Sequence, residues 1–191
     1  MSIKSELRKE YLSKRQSLSG LEQNKLNDLL LIQLQSMELP FANILLSYIP
    51  MEDRAEPDTF LFSDYIKFLF PQIQIGYPIT NMKLGTMEAY LTNEDTEFEK
   101  VQYGLIEPVS EHLIRPEEVD IVIVPLLVAD RSGYRVGYGK GMYDKFLSRC
   151  RNDVFKIGFS FSNPIEQILD IDRNDISLDV LICPNQKYFF K

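Results

Sequence analysis

The chain has 191 residues, 45% of them hydrophobic and 26% charged, which is an ordinary composition for a globular protein and a length sufficient for one domain with a sizeable core. Its formal net charge of −7 argues against a nucleic-acid partner, because proteins that bind phosphate backbones usually carry a basic face. The sequence has neither a signal-peptide pattern nor an apolar run of membrane-spanning length, so we expect one cytoplasmic domain over residues 1–191 with no membrane partner.

The few cysteine and histidine residues argue against several classes of catalytic site. Cys150 and Cys183 are far apart and form no CxxC pair, which indicates reduced thiols used as small apolar residues rather than a disulfide or a metal-thiolate site. His112 is the one histidine, and its polar surroundings predict an ordinary surface residue. Histidine-dependent triads and zinc chemistry are therefore not expected.

The amino-terminal segment is predicted to form two helices. The first, Ser2–Ser17, carries Lys4 and Arg8 one turn apart, where the two cations repel each other and a shared anion would relieve the repulsion. On charge alone a solvated helix face is the simpler interpretation, and a local anion site is the alternative. The second helix is predicted to begin at the capping-box pattern of Ser19 and Glu22.

A polar loop after the first predicted strand contains a candidate ligand-binding carboxylate. The strand is Ile44–Ile49, and open α/β sheets bind ligands at loops that follow the carboxyl ends of strands. Glu56 lies in this loop, immediately before Pro57. It is either a partner for the dipole of the next helix or a ligand contact, and its position alone leaves both interpretations open.

The rest of the chain alternates between strands and helices, which indicates a three-layer α/β/α sandwich over a mostly parallel sheet of five or six strands. No internal repeat, low-complexity tract or linker divides the chain. The segments outside the central stretch are predicted to be helix Asp58–Tyr65, strand Lys67–Phe70, a long loop Gln72–Gly85, strand Thr86–Thr92, an acidic surface segment Asn93–Lys100, and strands Phe155–Phe161 and Val180–Cys183.

The stretch from Asp120 to Cys150 organises the predicted chemistry. The continuous apolar run Ile121–Val124 is typical of a strand buried on both faces. Strand, glycine-rich loop and helix N-terminus together bind phosphate in α/β proteins, because glycine lets the backbone approach the anion and unpaired helix N–H groups point at it. The glycines of this loop are Gly137, Gly139 and Gly141, and the helix predicted to follow them is Met142–Cys150.

The charged neighbours of this loop strengthen a phosphate prediction that the glycines alone support weakly. The loop is neither a P-loop nor a dinucleotide-binding fingerprint, because no Ser or Thr follows Lys140 and the glycine spacing differs. Arg135 and Lys140 are able to neutralise phosphate oxygens, and Asp144 is a natural Mg²⁺ ligand beside a phosphate, with Asp175 as a second candidate. The alternative is a structural turn in which Asp144 only complements the helix dipole.

One motif and five shorter segments carry a resemblance to a known family. The motif is GYRVGYGKGMYD, Gly133–Asp144, and the shorter segments are Lys4–Arg8, Tyr48–Glu56, Tyr103–Pro108, Val124–Asp130 and Asn174–Asp175. Together they resemble the 5-formyltetrahydrofolate cyclo-ligases, also called 5,10-methenyltetrahydrofolate synthetases, whose signature is G-x-R-x-G-x-G-[GK]-G-x-Y-D. The resemblance runs along nearly the whole chain in the family's order. It implies the cyclo-ligase fold, a three-layer sandwich similar to that of sugar-phosphate isomerases and CoA transferases.

The resemblance also implies a reaction. It is the ATP- and Mg²⁺-dependent cyclisation of 5-formyltetrahydrofolate to 5,10-methenyltetrahydrofolate, with release of ADP and phosphate. The formyl oxygen would attack the γ-phosphate, and N10 would then attack the activated carbon and close the ring. Such a reaction needs positioning and charge neutralisation more than a protein nucleophile.

Site roles follow from the resemblance residue by residue, with Arg135, Lys140 and Tyr143 as the expected catalytic residues. Asp144 and Asp175 would hold Mg²⁺. The expected ATP contacts are Lys4, Arg8, Arg135, Gly137, Tyr138, Gly139, Lys140, Gly141, Met142 and Tyr143. The expected folate contacts are Met51, Glu56, Tyr138, Gly139, Lys140, Gly141 and Met142, with Glu56 binding donors of the pterin.

Departures from the family pattern affect the predicted shape of the pocket more than the reaction class. Met142 replaces a frequent second Tyr, Lys145 a frequent Arg, Ala129 the usual Phe, and Cys183 begins a less polar ending. Three other functions stay open at this point: a kinase or ligase on another small substrate, a non-catalytic folate- or nucleotide-binding regulator, and a sugar-phosphate isomerase. The protein is expected to be a monomer or a weak homodimer.

Overall fold

The computed structural model describes residues 3–190, and most of its strands form one mixed sheet. Ser2, the first residue of the first predicted helix, lies outside this range. The helices are α1 Lys4–Gln16, α2 Gly20–Gln35, α3 Thr59–Leu69 and α4 Met142–Leu147, with short 3₁₀ turns at Glu52–Arg54, Gln102–Gly104 and Pro116–Glu118. The strands are β1 Ile44–Leu46, β2 Gln74–Asn81, β3 Thr86–Thr92, β4 Phe98–Lys100, β5 Ile106–Pro108, β6 Leu113–Ile114, β7 Ile121–Ile123, β8 Val128–Ala129, β9 Arg135–Val136, β10 Phe155–Phe159, β11 Val180–Ile182 and β12 Lys187–Phe189.

The main sheet has a parallel centre and antiparallel edges. Its eight strands run in the order β12-β11-β10-β7-β1-β2-β3-β6. Strands β11, β10, β7, β1 and β2 pair in parallel, whereas β12 at one edge and β3 and β6 at the other are antiparallel. Two hairpins, β4-β5 and β8-β9, lie outside this sheet. The mostly parallel sheet predicted from the sequence is confirmed, but it has eight strands instead of the five or six expected.

Alternate residues of the central strands pack against helices on opposite faces of the sheet. In β1, Leu45 packs with α2 and α3, and Leu46 packs with α4. In β7, Ile121 and Ile123 face the first side and Val122 the second, because successive side chains of a strand point to opposite faces. These strands are buried on both sides, which explains their unbroken apolar sequence. The three-layer arrangement is therefore confirmed.

Helix α1 lies apart from the two helical layers. Leu7 is its one fully buried apolar side chain among the described residues, and it packs with Val128 and Val136 of the β8-β9 hairpin. The other buried residue of α1 is Arg15, which is a cation. Polar contacts therefore contribute much of the attachment of α1 to the rest of the protein.

The start of α2 follows from its sequence. The Ser19 hydroxyl accepts a hydrogen bond from the Glu22 backbone N–H, and the Glu22 carboxylate accepts one from the Ser19 backbone N–H at 2.8 Å. Two of the N–H groups that a helix leaves unpaired at its start are thus satisfied. The predicted capping box is confirmed.

The predicted strand Lys67–Phe70 and the predicted loop Gln72–Gly85 are wrong. Helix α3 continues to Leu69, because Phe62 and Ile66, four residues apart, place their side chains on the same buried face. The strand is β2 instead, and it includes Pro78. Strand β2 pairs with β1 at three residues only, and Pro78 lies beyond them, where β2 pairs with β3 alone. Proline has no N–H to donate to a second neighbouring strand, and it is tolerated at a position where that neighbour is absent.

Several helices and strands are shorter than predicted, and some short strands have no counterpart in the prediction. The last predicted helix ends at Leu147 rather than Cys150, because the N–H groups of Arg149 and Cys150 bond to carbonyls only three residues back. Strand β1 ends at Leu46 rather than Ile49. Strands β7, β10 and β11 are one or two residues shorter than predicted, and the small strands β4, β5, β6, β8, β9 and β12 were not predicted. Strand β3 matches its predicted bounds.

The structure agrees with the prediction of free thiols and of a surface histidine. Cys150 and Cys183 are free thiols, and burial raises the pKa of Cys150 to about 11, which keeps this thiol protonated. Cys183 is buried in the core on the α4 side of the sheet. His112 is exposed. None of the helices between residues 3 and 190 has the length and apolarity to cross a membrane.

Candidate functional site

One cavity of about 410 Å³ lies beyond the carboxyl ends of β1 and β7, the edge at which parallel sheets bind ligands. The loop after β1, the loop after β9 and the start of α1 line it. The sequence-predicted site residues are 14 in number, and every one of them lines this cavity: Lys4, Arg8, Met51, Glu56, Arg135, Gly137, Tyr138, Gly139, Lys140, Gly141, Met142, Tyr143, Asp144 and Asp175.

The glycine loop wraps around a side chain of α1. The Arg8 Nε donates a hydrogen bond to the Gly137 carbonyl oxygen at 2.9 Å. Gly139 has a φ of +88°, and a Cβ atom there would lie 3.2 Å from the Arg8 guanidinium. Gly141 has a φ of +64° and directly precedes α4. Glycine is required at 139 both for its backbone conformation and for the close approach of Arg8.

The cations at this end of the cavity each contact a specific partner. Lys4 forms an ion pair with Asp175, and its side chain is 15% exposed. Arg135 is buried and pairs with Asp144 Oδ1 at 3.0 Å. Lys140 is exposed, with its Nζ 5.8 Å from the centre of the Tyr103 ring. Charge alone favoured a solvated helix face for Lys4 and Arg8. That interpretation is wrong, because both side chains contact residues of the cavity.

Asp144 and Asp175 each use one carboxylate oxygen within the protein. Asp144 Oδ1 accepts hydrogen bonds from Arg135 and from the Ile176 backbone N–H, both at 3.0 Å. Asp175 Oδ2 accepts from Lys4 and from the Asp172 N–H. The second oxygen of each makes no hydrogen bond to the described residues. Residues 3–190 contain no cluster of three or more His, Cys, Asp or Glu side chains that suits a metal. Two carboxylates with free oxygens fit Mg²⁺, which takes one or two carboxylates and completes its shell with water and phosphate oxygens.

The opposite end of the cavity is built around the buried carboxylate of Glu56. Ala55 adopts a left-handed conformation with a φ of +48°, which turns the chain so that Glu56 Oε2 accepts a hydrogen bond from the Met51 N–H at 2.8 Å. The Tyr138 hydroxyl donates to Oε1. Helix α3 begins only at Thr59 and is capped by Asp58. The interpretation of Glu56 as a helix-dipole partner is therefore wrong.

Burial dominates the electrostatics at this end. Loss of water raises the pKa of Glu56, and the hydrogen bonds from Tyr138 and Met51 together with the charge of Arg15 oppose that rise. The pKa values of Tyr48 and Tyr138 are raised by burial and by the negative charge of Glu56. The buried carboxylate of Glu56 has lost its water and has few hydrogen-bond donors around it. A ligand that donates a hydrogen bond to this carboxylate would therefore bind strongly.

Sequence reasoning missed Arg15, the buried arginine of α1. It donates to the carbonyl oxygens of Arg54 at 2.7 Å and Leu126 at 3.0 Å, and to the Tyr138 hydroxyl oxygen. Its NH2 lies 3.9 Å from Glu56 Oε1. A signal was present, because residues 4, 8 and 15 recur at spacings of four and seven and therefore lie on one face of the helix.

Three further groups line the cavity with polar atoms. The Tyr143 hydroxyl is buried without a hydrogen-bond partner, and burial raises its pKa. Glu107, in strand β5, accepts from the Thr80 N–H at 2.9 Å and from the Thr80 hydroxyl at 2.6 Å. A buried hydroxyl without a partner is costly in a folded protein unless a ligand pairs with it. Tyr143 was predicted as a site residue, whereas the roles of Thr80 and Glu107 were not.

Comparison with known proteins points to one family. The model of the 5-formyltetrahydrofolate cyclo-ligase family matches residues 1–184. A 5-formyltetrahydrofolate cyclo-ligase of Mycoplasma genitalium is 29% identical over 96% of this chain and 99% of its own. The solution structure of the Aquifex aeolicus 5,10-methenyltetrahydrofolate synthetase superposes with a TM-score of 0.77, with 30% identity, over 100% of this chain and 94% of its own. The synthetase structure from Mycoplasma pneumoniae, at 24% identity, shares the fold with a TM-score of 0.73 over 94% of this chain and 97% of its own.

Proposed function

The chain belongs to the 5-formyltetrahydrofolate cyclo-ligase family, and we propose that it is the ligase that converts 5-formyltetrahydrofolate to 5,10-methenyltetrahydrofolate with ATP and Mg²⁺. The observation that carries this proposal is the single cavity that joins a cation-lined glycine loop to a buried carboxylate. One end has the chemistry for a triphosphate, and the other has the chemistry for a flat heterocycle with N–H donors. The two substrates would meet between them.

The proposed reaction has two steps. The formyl oxygen attacks the γ-phosphorus, the bond from that phosphorus to the bridging oxygen breaks, and ADP leaves. N10 then attacks the activated formyl carbon, the carbon–oxygen bond breaks, and phosphate leaves as N10 loses its proton. Both nucleophiles belong to the folate, so the protein has to align the reactants and neutralise charge. Consistent with this, no cysteine or histidine occurs among the described residues that line the cavity.

The phosphate end would act through its cations. Arg135, Lys140, Lys4 and Arg8 would bind the phosphate oxygens, beside backbone N–H groups of the loop from Gly137 to Gly141. Lys4 and Arg135 are each paired with a carboxylate, Asp175 and Asp144. Mg²⁺ held by those two carboxylates would supply further positive charge to the phosphate oxygens. Each ion pair therefore offers a cation for the phosphates and a carboxylate for the metal.

The folate end would act through Glu56 and its neighbours. The carboxylate would accept hydrogen bonds from the N–H groups of the pterin, and Met51 and Met142 would contact its faces, since both are buried in the wall of the cavity. Residues 138–142 lie between the two ends and would contact both substrates. The unpartnered Tyr143 hydroxyl would donate to a substrate oxygen, which supports its predicted catalytic role with Arg135 and Lys140.

The experiment is a spectrophotometric assay on the purified chain with 5-formyltetrahydrofolate, Mg²⁺ and ATP, following the near-ultraviolet band of the methenyl product. We expect the band to grow only when ATP and Mg²⁺ are both present. Folate binding without turnover would support the regulator, and turnover of a sugar phosphate without ATP would support the isomerase. ATP consumption without the methenyl band would support a kinase or ligase with another substrate.

The proposal places residues 1–191 in one catalytic domain of one-carbon metabolism. The main sheet supports this assignment, because its strands come from residues 44 to 189. A cytoplasmic location, the absence of a nucleic-acid partner, and a monomeric or weakly dimeric state stay predictions of the sequence. So do the effects of Ala129, Met142 and Lys145 on the shape and affinity of the pocket.

A further inference from the structure

Arg15 is a buried cation that makes three hydrogen bonds beside the folate end of the cavity. Its side chain is 6% exposed, and the two main-chain carbonyls of Arg54 and Leu126 hold the guanidinium in place. These carbonyls belong to the loop after β1 and to the segment after β7. The third contact is the Tyr138 hydroxyl of the glycine loop. One side chain of α1 thus fixes three separate segments that surround Glu56.

The contact between Arg15 and Tyr138 determines where the proton of the tyrosine points. An arginine has donors and no acceptor, so the Tyr138 oxygen must accept from Arg15. The hydroxyl proton of Tyr138 must then point away from Arg15, and it is donated to Glu56 Oε1. Since the Met51 N–H donates to the other oxygen, both carboxylate oxygens face donors. These donors favour the ionised form of Glu56 and oppose the effect of burial, which raises its pKa. The ionised carboxylate accepts hydrogen bonds from a ligand and donates none.

We propose that Arg15 is a positioning residue for folate binding, which orients the Tyr138 hydroxyl so that Glu56 stays ionised and correctly placed for the pterin. This inference rests on the proposed function. Arg15 touches neither substrate in the proposed complex, since it does not line the cavity and its Nε, NH1 and NH2 each donate to a protein oxygen. It acts through Tyr138.

The other ionisable groups that face Glu56 set the background for a pH test. They are Tyr48 from the segment after β1, Tyr143 from α4 and Arg54 from the loop of Glu56 itself. Burial raises the pKa values of both tyrosines, so neither ionises near neutral pH. Arg54 is present in every variant, and its guanidinium carbon lies 4.4 Å from the centre of the Tyr138 ring. A change in pH dependence on replacing Arg15 therefore reports on Glu56.

The test compares Arg15→Met and Arg15→Lys with Lys14→Met, a matched variant of the neighbouring exposed cation. Among the described residues, Lys14 pairs with Glu10 on its own helix and lies over the Tyr11 ring, and it does not line the cavity. Affinity for 5-formyltetrahydrofolate without ATP is measured by calorimetry from about pH 5 to about pH 9. Affinity for ADP with Mg²⁺ is measured in the same samples as a probe of the phosphate end.

For Arg15→Met we expect folate affinity to fall about tenfold to about 100-fold at neutral pH, the range for losing support of a charged hydrogen bond. Affinity for ADP should change less than about threefold. Because Arg15 lowers the pKa of Glu56, its removal moves the loss of folate binding on acidification to higher pH. Arg15→Lys should recover part of the affinity, and Lys14→Met should match the wild type.

A double-variant cycle separates positioning from simple charge. In a Tyr138→Phe background, Arg15→Met should weaken folate binding less than about threefold further, because the hydroxyl through which it acts is already absent. The inference would be overturned if the effects of Arg15→Met and Tyr138→Phe on folate affinity were fully additive. It would also be overturned if Arg15→Met left the pH dependence of folate binding unchanged. Loss of folding in both Arg15 variants while Tyr138→Phe binds folate as the wild type does would overturn it too, since Arg15 would then be structural only. If wild-type protein binds no folate, the proposed function fails instead.

Discussion

The two ends of the cavity are built in different ways. The phosphate end is largely one continuous segment, Arg135–Asp144, supplemented by Lys4, Arg8 and Asp175. The folate end joins residues from three distant segments through side chains that are mostly buried: Arg15 of α1, Met51 and Glu56 of the loop after β1, and Tyr138 of the glycine loop. In the proposed function, phosphates would bind to glycines and cations that are close in sequence, whereas the pterin would bind to a carboxylate that the fold has desolvated.

This difference has a consequence for charge. At the phosphate end, cations and carboxylates pair with each other and stay partly accessible, as the 19% exposure of the Asp175 side chain indicates. At the folate end, the Glu56 side chain is 1% exposed and its nearest cation is 3.9 Å away. Changes at the phosphate end should therefore act on turnover and metal use, and changes at the folate end on folate affinity.

The largest expected effect is that of Asp144→Asn. The amide keeps the acceptor oxygen for Arg135 and the Ile176 N–H, so folding should be normal, but the charge that would bind Mg²⁺ is lost. We expect kcat to fall by about 100-fold to about 1,000-fold, comparable to losing one electrostatic group in an active site. Turnover is measured across a Mg²⁺ titration.

The matched control for that variant is Asp153→Asn, a surface aspartate that also pairs with an arginine, Arg151, and is 77% exposed. It should leave the Mg²⁺ dependence unchanged. Full activity of Asp144→Asn at low Mg²⁺ would reject the metal role of Asp144 and would remove the functional contrast between the two ends.

The second effect, at the opposite end, is that of Glu56→Ala. Loss of the carboxylate removes the acceptor for the pterin, and we expect the KM for folate to rise by roughly 10-fold to 100-fold, since hydrogen bonds to charged groups contribute about 1.5–3 kcal/mol. The KM for ATP should stay within about twofold. Steady-state kinetics with each substrate varied in turn gives both constants, and Glu52→Ala, an exposed glutamate of the same loop, is the control. Equal rises in both constants would count against the pterin assignment.

The smallest expected effect is that of Gly139→Ala. The new methyl group meets the Arg8 guanidinium at 3.2 Å, and the left-handed backbone adds about 1–2 kcal/mol of strain. We expect the KM for ATP to rise about fivefold to about tenfold with little change in the KM for folate. Gly85→Ala carries the same kind of strain at a φ of +62° outside the cavity, and it should lower thermal stability without changing either KM. A larger effect of Gly139→Ala on folate than on ATP would contradict the separation of the two ends.

Helix α1 is the element that both ends share. Lys4 and Arg8 contact the phosphate end, and Arg15 contacts the folate end about two turns further along the helix. Its one buried apolar side chain is Leu7. The attachment of α1 therefore depends strongly on the contacts that also build the site.

The sequence by itself determined the elements whose information is local. The buried apolar runs of β7 and β11, the capping box of α2, and the glycine loop with its cations and Asp144 were all predicted, because strand burial, helix capping and phosphate binding depend on residues near each other in the chain. The motif resemblance added Met51 and joined the open candidates Lys4, Glu56 and Asp175 to the same site, and the structure brings these residues together. Their roles toward ATP, Mg²⁺ and folate stay predictions.

Only the tertiary structure decided the rest. Lys67–Phe70 has the composition of a short strand, yet α3 continues through Leu69, because Ile66 packs against the sheet one turn beyond Phe62. Pro78 looks like a loop residue but lies in β2, where pairing with β1 has already ended. The environment of Glu56 and the burial of Arg15 arise from contacts between segments 39 to 123 residues apart. No local pattern encodes them, because a side chain loses its water only when distant parts of the chain pack around it.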